Sequence, residues 1–339
     1  MVVERLSVHY PAQEAKAIAV RLLKESVEGY KGYEHLVEPG RGLDSFQLAE
    51  CCAVAGEKTE AGNLMTPGCE EYLLECADRL ATGEPLQYVM GYEWFCGHRF
   101  NVAPGVLIPR PETEELVREV VACAAEMGRG AAETGVLDAS AVGSHSPGKD
   151  NKLHILDVCT GSGCIAWSVA AELGDRGEVS GCDISTAALE IARGQQIECS
   201  GNGSDVKFFE CDILAPQAEE VIAVACGGQM DGSDGCGQFD IIVSNPPYVC
   251  ECERVFMQKN VLDFEPELAL FVPDDDPLRF YRRIAELSGR LLRPGGKLFF
   301  EINERFGAET LEMLAGMGFT GCRVVQDIFG KERMTVAQR

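Results

Sequence analysis

The spacing of apolar residues changes character near residue 153. Before that point it is helical. In "PAQEAKAIAVRLLKESVE", residues 11–28, Ala15, Ile18, Ala19, Leu22, Leu23 and Val27 fall on one face, the i, i+3, i+4 stripe of an amphipathic helix. "SFQLAECCAVAG" predicts a second, short helix. "TPGCEEYLLECADRLATGEP" predicts a third, with Thr66 as N-cap, Pro67 at the first helical position and Gly83-Glu84-Pro85 as the stop. "YEWFCGHRFNV" reads instead as two short strands turning about Cys96-Gly97.

From residue 153 short apolar runs alternate with helical patterns. "LHILDVC", "EVSGCDIS", "VKFFECDIL", "FDIIVSN" and "KLFFEIN" read as strands. "CIAWSVAAEL", "TAALEIARGQQIE", "DDPLRFYRRIAELSGRLLRPGG" and "AETLEMLAGM" read as helices, the third ended by Pro-Gly-Gly. Such alternation predicts an α/β fold around a mostly parallel sheet. "RVVQDI" and "RMTVAQ" are separated only by "FGKE" and are expected to pair antiparallel. Two Gly-rich stretches without periodicity, near 128–151 and 226–238, are expected to be surface loops. The expected organisation is a helical domain over 1–85, a hairpin linker over 86–105, and an α/β domain over 106–339 carrying both insertions.

Composition narrows the function. The 339 residues are 46% hydrophobic and 25% charged, ordinary for a globular protein. No apolar run reaches the roughly 18 residues of a membrane span. Glu4 and Glu14 interrupt the N-terminal stretch, which does not read as a secretory signal. Thirty Lys+Arg stand against 54 Asp+Glu, a formal charge of −24, and such a surface repels nucleic-acid phosphates unless it hides a basic groove. The sixteen cysteines are scattered, with none in C-x-x-C, and Cys159, Cys182 and Cys211 lie inside apolar strands; reduced buried thiols are expected. Cys250 and Cys252, with Cys226 and Cys236 upstream, fit no standard zinc spacing, so no metal is expected.

Two stretches carry chemistry. In "LDVCTGSGCIAWS" a glycine turn joins a strand to a helix, so backbone N–H groups and the helix N-terminus can face a ligand. Gly161-Ser162-Gly163-Cys164-Ile165-Ala166 also fits the weak dinucleotide pattern G-x-G-x-x-A. Asp183, closing the next strand, is placed to accept ribose hydroxyls, and Asp212, closing the third, to meet an adenine edge. NAD would need this loop to hold a pyrophosphate. S-adenosylmethionine has no phosphate and carries an ammonium and a sulfonium, which suit a cleft containing Asp157, Asp183 and Asp212.

"FDIIVSNPPYVC" is the second stretch. Two prolines cannot continue a ladder and they stiffen the turn after Asn245. The Asn245 side-chain oxygen and the Pro246 carbonyl can then face one point, and both are acceptors. Two acceptors suit a planar –NH2, a poor nucleophile that such bonds pull towards pyramidal geometry while aiming its lone pair at a methyl donor. Tyr248 is expected to pack on the flat face of that group. The –NH2 can belong to a protein glutamine, or to adenine N6 or cytosine N4 of DNA or RNA; the acidic charge disfavours the nucleic acid.

The chain resembles the peptide chain release factor N(5)-glutamine methyltransferases. "GEPLQYVMGYEWFCGHRFNV", "VLIPRPETEELV", "ILDVCTGSGCIA", "FDIIVSNPPYV", "DFEPELALF", "LLRPGGKLFFEI" and "DIFGKERMTVAQR" occur in that family's order and span nearly the whole chain. The resemblance implies a Rossmann-like methyltransferase domain using S-adenosylmethionine, and an N-terminal helical bundle that helps to hold a release factor. The substrate it implies is the glutamine of a Gly-Gly-Gln loop. It further implies a cytoplasmic enzyme, expected to be a monomer, with no nucleic-acid or membrane partner. By the same resemblance Cys159, Thr160, Gly161, Ser162 and Gly163 form the cofactor loop, with Asp183, Asp212, Ile213 and Asn245 also at the cofactor. Asn245, Pro246, Pro247 and Tyr248 hold the glutamine, Asn245, Pro246 and Tyr248 being catalytic. The family often has glycine where this chain has Cys159, and some members have an aromatic where it has Ile213. "PRPETEELV" is expected over the cofactor pocket, opening a helix with Pro111 and early glutamates. Gly227-Gly228-Gln229, in the second insertion, repeats the tripeptide the family methylates; chance in a Gly-rich loop accounts for it.

Overall fold

The helical stripe of residues 11–28 forms α2 (Ala12–Glu28), after a short α1 (Val2–Leu6). The computed structural model describes residues 2–8, 10–28, 67–133, 152–199, 205–227 and 237–339. The helix expected over "SFQLAECCAVAG", the Thr66 cap and Gly228-Gln229 lie outside the described residues. α3 (Pro67–Ala81) starts at the predicted proline, and α4 (Leu86–Met90) ends at Gly91, whose φ of 80° lets its N–H reach Gln87. Leu6, Ala15, Ile18, Leu22, Leu73, Ala77, Leu80 and Val89 make one apolar core. Arg79 closes the end of α3 by bonding Glu84 through two nitrogens and the Tyr88 carbonyl at 3.1 Å. These elements and α9 (Lys259–Phe264) belong to one compact unit, residues Met1–Gly91 with Gln258–Phe264.

The second unit comprises Tyr92–Met257 and Glu265–Arg339. It opens with the predicted hairpin, β1 (Tyr92–Phe95) paired antiparallel with β2 (His98–Asn101). Phe95 and Phe100 of the hairpin join the core of this unit, and Asn101 exchanges two bonds with Gln195. Of the stretch expected as a linker, residues 86–91 fall in the first unit and 92–105 in the second. α5 (Pro111–Glu133) follows. The stretch expected as a loop from residue 128 is helical as far as Glu133: Ala131, Ala132 and Glu133 are strong helix formers and offset Gly128 and Gly130.

The predicted strands become β3 (Leu153–Val158), β4 (Gly177–Asp183), β5 (Lys207–Glu210), β6 (Phe239–Ser244), β9 (Leu292–Glu301), β10 (Thr320–Gln326) and β11 (Glu332–Gln338). A separate parallel pair, β7 (Val249–Cys250) with β8 (Phe271–Val272), has only two residues per strand, too few for a period to show in the sequence. The large sheet runs β10-β11-β9-β6-β3-β4-β5. It is parallel from β9 to β5, while β11 pairs antiparallel with both β9 and β10.

Period-2 alternation sends Ile155, Ile241 and Val243 to one face, against α5, α6 (Cys164–Leu173) and α7 (Thr186–Arg193). Leu156, Val158, Ile242 and Phe300 face the other way, against α8 (Ala218–Ala225), α10 (Arg279–Leu291) and α11 (Gly307–Gly316). α8 is missing from the expected elements. α10 was expected to run to Pro294-Gly295-Gly296 and instead stops at Leu291, with Leu292 already extended at ψ 145°. The residue before a proline avoids the helical region, so the chain leaves the helix ahead of Arg293-Pro294 and loops out between the Phe239–Leu292 and Ile241–Lys297 pairs. No helix among the described residues is long and apolar enough to cross a membrane.

Candidate active site

After β3 the chain builds outward through β4 and β5, then crosses back to β6 on the other side of β3. The sheet's direction of growth reverses between β3 and β6, and ligands of open α/β sheets bind at such a switch point, outside the carboxyl ends of the strands. A cavity lies there, with about 1140 Å³ of empty space that includes open solvent at its mouth. The ends of β3, β4 and β6, the turn after β5, and the Gly105–Thr113 segment line it.

The loop after β3 is shaped by left-handed residues. Cys159, Gly161 and Gly163 have φ of 59°, 55° and 78°. A non-glycine residue in that region is strained, which explains why glycine suits the Cys159 position. The Thr160 N–H bonds the Cys182 carbonyl at 3.0 Å and its hydroxyl donates to Asp157. Gly161 and Ser162 face the cavity. Gly163 does not: a Cβ there would stand 3.0 Å from Phe208 and 3.1 Å from Ala192 and Trp167. Its bareness lets α6 pack closely, behind the loop.

Three acids surround the loop. Asp183 is half-buried, and its Oδ2 and Oδ1 accept the N–H groups of Gly161 at 2.8 Å and Ser185 at 2.9 Å. Burial raises its pKa and those backbone bonds oppose the rise. Each oxygen keeps a lone pair for a hydroxyl. Asp212 is exposed at the cavity edge and its carboxylate accepts the Leu214 N–H, while Ile213 is buried in the wall beside it. Asp157 is fully buried beneath the loop; its Oδ1 has no hydrogen-bond partner among the described residues, and burial pushes its pKa up to about 7.

Asn245, at the end of β6, lines the same cavity, as does Pro247; Pro246 and Tyr248 do not. Asn245 donates from Nδ2 to the Thr113 hydroxyl at 3.3 Å, and Thr113 donates to Glu301 Oε2 at 2.6 Å. The Tyr248 hydroxyl donates to Glu301 Oε1 at 3.0 Å, and its ring packs against the core under α10. Burial pushes Tyr248 well above the usual phenol range, and the Glu301 carboxylate adds to it. Burial also raises Glu301, against the Thr113 and Tyr248 bonds and the Arg333 charge. No hydrogen bond among the described residues uses the Asn245 Oδ1 or the Pro246 carbonyl.

Of the residues expected at the site, Cys159, Thr160, Gly161, Ser162, Asp183, Asp212, Ile213, Asn245 and Pro247 therefore meet at one cavity. Arg110 and Thr113 belong to the segment expected over the cofactor pocket but, like Glu265 and Glu301, had been given no individual role. Arg110 and Thr113 line the cavity, and buried Glu265 takes the Arg110 guanidinium at 2.7 Å and the Ile108 N–H at 3.1 Å, pinning that segment in place. Their signal lay in "IPRPETE", "DFEPEL" and "LFFEI", where an acid or hydroxyl interrupts an apolar or proline-rich run.

A glycine turn at the start of a helix, Asp183 and Asp212 at the strand ends, an apolar wall at Ile213 and a buried acid with one uncommitted oxygen under the loop suit a cationic nucleoside. The chain is an S-adenosylmethionine-dependent methyltransferase with a Rossmann-like fold. The family profile described as "Methyltransferase domain" matches residues 149–304. A solved protein-(glutamine-N5) methyltransferase (release factor-specific) from Alicyclobacillus acidocaldarius is 24% identical, covering 71% of this chain and 99% of its own, at a TM-score of 0.36. The release factor glutamine methyltransferase of Bacteroides thetaiotaomicron is 41% identical over 89% of this chain and 95% of its own length. That of Flavobacterium psychrophilum is 37% identical, covering 86% and 87%. The chain belongs to the release factor glutamine methyltransferase family.

Proposed function

We propose that this chain transfers a methyl group from S-adenosylmethionine to the side-chain amide nitrogen of the glutamine in the Gly-Gly-Gln motif of peptide chain release factors. The observation that carries this reading is the uncommitted Asn245 Oδ1, at the cavity that also holds the glycine loop and Asp183, followed directly in the chain by a Pro246 carbonyl that no hydrogen bond among the described residues uses. Cys159 to Ser162, Asp183, Asp212 and Ile213 hold the cofactor, and Gly163 lets the end of the loop pack against Phe208 and Ala192. When bound, the cofactor supplies an electrophilic methyl on a positively charged sulfur.

The chain's own residues hold and orient the amide. Asn245 Oδ1 and the Pro246 carbonyl accept its two N–H groups, drawing the nitrogen out of conjugation and turning its lone pair into the cavity. Pro246 and Pro247 keep those acceptors from moving. The proton displaced from the nitrogen leaves after attack, so no strong base is required. Residues 1–85 hold the release factor and 106–339 carry the chemistry. The free thiols of the described cysteines fit a reducing compartment, and we place the protein in the cytoplasm as a monomer that takes a protein substrate rather than nucleic acid.

The test offers the purified protein methyl-labelled S-adenosylmethionine with a release factor, its Gln→Ala variant, and DNA. Label is expected on the unaltered release factor alone. Label on DNA, or equal label on the Gln→Ala variant, overturns the reading.

A further inference from the structure

We propose that Glu301, acting through Thr113, fixes which way the side-chain amide of Asn245 faces, so that Oδ1 and not Nδ2 is presented to the substrate. The inference rests on the reading of Asn245 as the residue that accepts the substrate amide. The two ends of an asparagine amide are nearly equal in size, and shape alone does not orient it; its hydrogen-bond partners do. Reversed, Asn245 would set its own –NH2 against the –NH2 of the substrate, two donors with no acceptor between them.

The chain of bonds has one consistent direction. Glu301 is 1% exposed and accepts two hydroxyls, Thr113 at 2.6 Å and Tyr248 at 3.0 Å. A carboxylate only accepts, so both hydroxyl protons point at it. Thr113 has one hydroxyl proton, and giving it to Glu301 leaves its oxygen able only to accept. The group 3.3 Å away is then the Asn245 amide nitrogen, and Oδ1 is turned to the cavity. Turning Oδ1 towards Thr113 would oppose two sets of lone pairs. Glu301 does not line the cavity and Thr113 does, so Glu301 is a positioning residue, and Thr113 relays its charge as a hydrogen-bond direction. A neutral amide at 301 breaks the logic: it can donate to the Thr113 oxygen, which frees the Thr113 proton to bond Oδ1 and hold it away from the substrate.

Glu301→Gln, Thr113→Val, Thr113→Ser and the double variant Glu301→Gln/Thr113→Val are compared with the unaltered enzyme. The readouts are kcat and KM for the release factor, Kd for S-adenosylmethionine, and melting temperature. Glu301→Gln and Thr113→Val are each expected to lose about tenfold to a hundredfold in kcat/KM, the scale of a misoriented catalytic contact, with cofactor Kd unchanged. The double variant is expected to fall no further than the worse single variant, because both changes cut one chain. Thr113→Ser, which keeps the hydroxyl, is expected to restore turnover. Turnover kept in both single variants, losses that multiply, or cofactor affinity lost in step with turnover each overturns the proposal. Should Glu301→Gln fail to fold, the Thr113→Val and Thr113→Ser pair still decides it. Asn245→Ala separates this from the underlying reading: if that variant turns over normally, the assignment of Asn245 itself falls; if it is inactive while the other variants are not, only the orientation relay falls.

Discussion

The Gly161 backbone N–H donates to Asp183 Oδ2 at 2.8 Å, tying the loop after β3 to the end of β4. One carboxylate therefore shapes the loop and faces the cavity. Asp183→Ala is expected to weaken cofactor binding by about tenfold to a hundredfold, the loss of a charge-assisted bond worth roughly 1.5–3 kcal/mol. Asp183→Asn, which can still accept the Gly161 N–H, is expected to lose less. Calorimetric titration with S-adenosylmethionine reads both, and equal affinities for all three proteins would remove Asp183 from the site.

The two loop glycines should separate in their effects. A Cβ on Gly161 would meet nothing within 4 Å, and one on Gly163 would press on Phe208, Ala192 and Trp167. Both positions have positive φ, so either alanine carries backbone strain of about 1 kcal/mol or more. Gly163→Ala adds overpacking of roughly 1–3 kcal/mol and is expected to show mainly as a lower denaturant midpoint. Gly161→Ala is expected to show mainly as weaker cofactor binding, because its new methyl projects beside the ligand. Equal loss of stability in the two would contradict this division.

Local signals made part of this site legible in the sequence. Glycines after an apolar strand, an acid closing the next strand and two prolines after Asn245 each act within a few residues of themselves, and all are found at one strand-end rim. Thr113 and Glu301 are 188 positions apart, and Arg110 and Glu265 are 155 apart. A polar residue in an apolar or proline-rich run marks each member singly, but nothing local says which two will pair. Tyr248 shows the same limit from the other side. The motif placed it beside the substrate, and its hydroxyl is committed instead to Glu301, a partner that only the closed sheet brings near. The α10 boundary was misplaced for a nearer reason, because the proline constrains the residue before it as well as itself.

Glu265 should matter through the segment it pins. It is 5% exposed and takes both the Ile108 N–H and the Arg110 guanidinium. Glu265→Ala leaves the Ile108 backbone donor without its acceptor and the half-buried Arg110 without its partner, a loss of about 1–3 kcal/mol. Glu265→Gln keeps an acceptor for Ile108 and is expected to lose less. Because Thr113 follows Arg110 in the same segment, Glu265→Ala is also expected to lower turnover. Chemical denaturation and a methylation assay on the same preparations check the two effects. Unchanged stability in Glu265→Ala would mean that the segment is held by other contacts.

Asp157 predicts an inverted pH dependence. Burial pushes its pKa up to about 7, whereas an unfolded aspartate titrates near 3.9. Between those values the folded chain holds a proton that the unfolded chain has released, so this group's contribution to stability falls as pH rises from about 4 to about 7 and is flat above. That is opposite to a carboxylate whose pKa is lowered by an ion pair. Asp157→Asn cannot ionise, and its carbonyl still accepts the Thr160 hydroxyl that Asp157 holds. Without cofactor, the variant's gain over the unaltered protein should be smallest near pH 4 and grow to a plateau above about pH 7. Saturating S-adenosylmethionine, whose positive charge favours the ionised acid, should shrink that gain at pH 8. Denaturant midpoints at pH 4.5, 6 and 8, with and without cofactor, measure it; a margin that stays constant or narrows with rising pH in the cofactor-free protein would show that Asp157 is ionised in the fold.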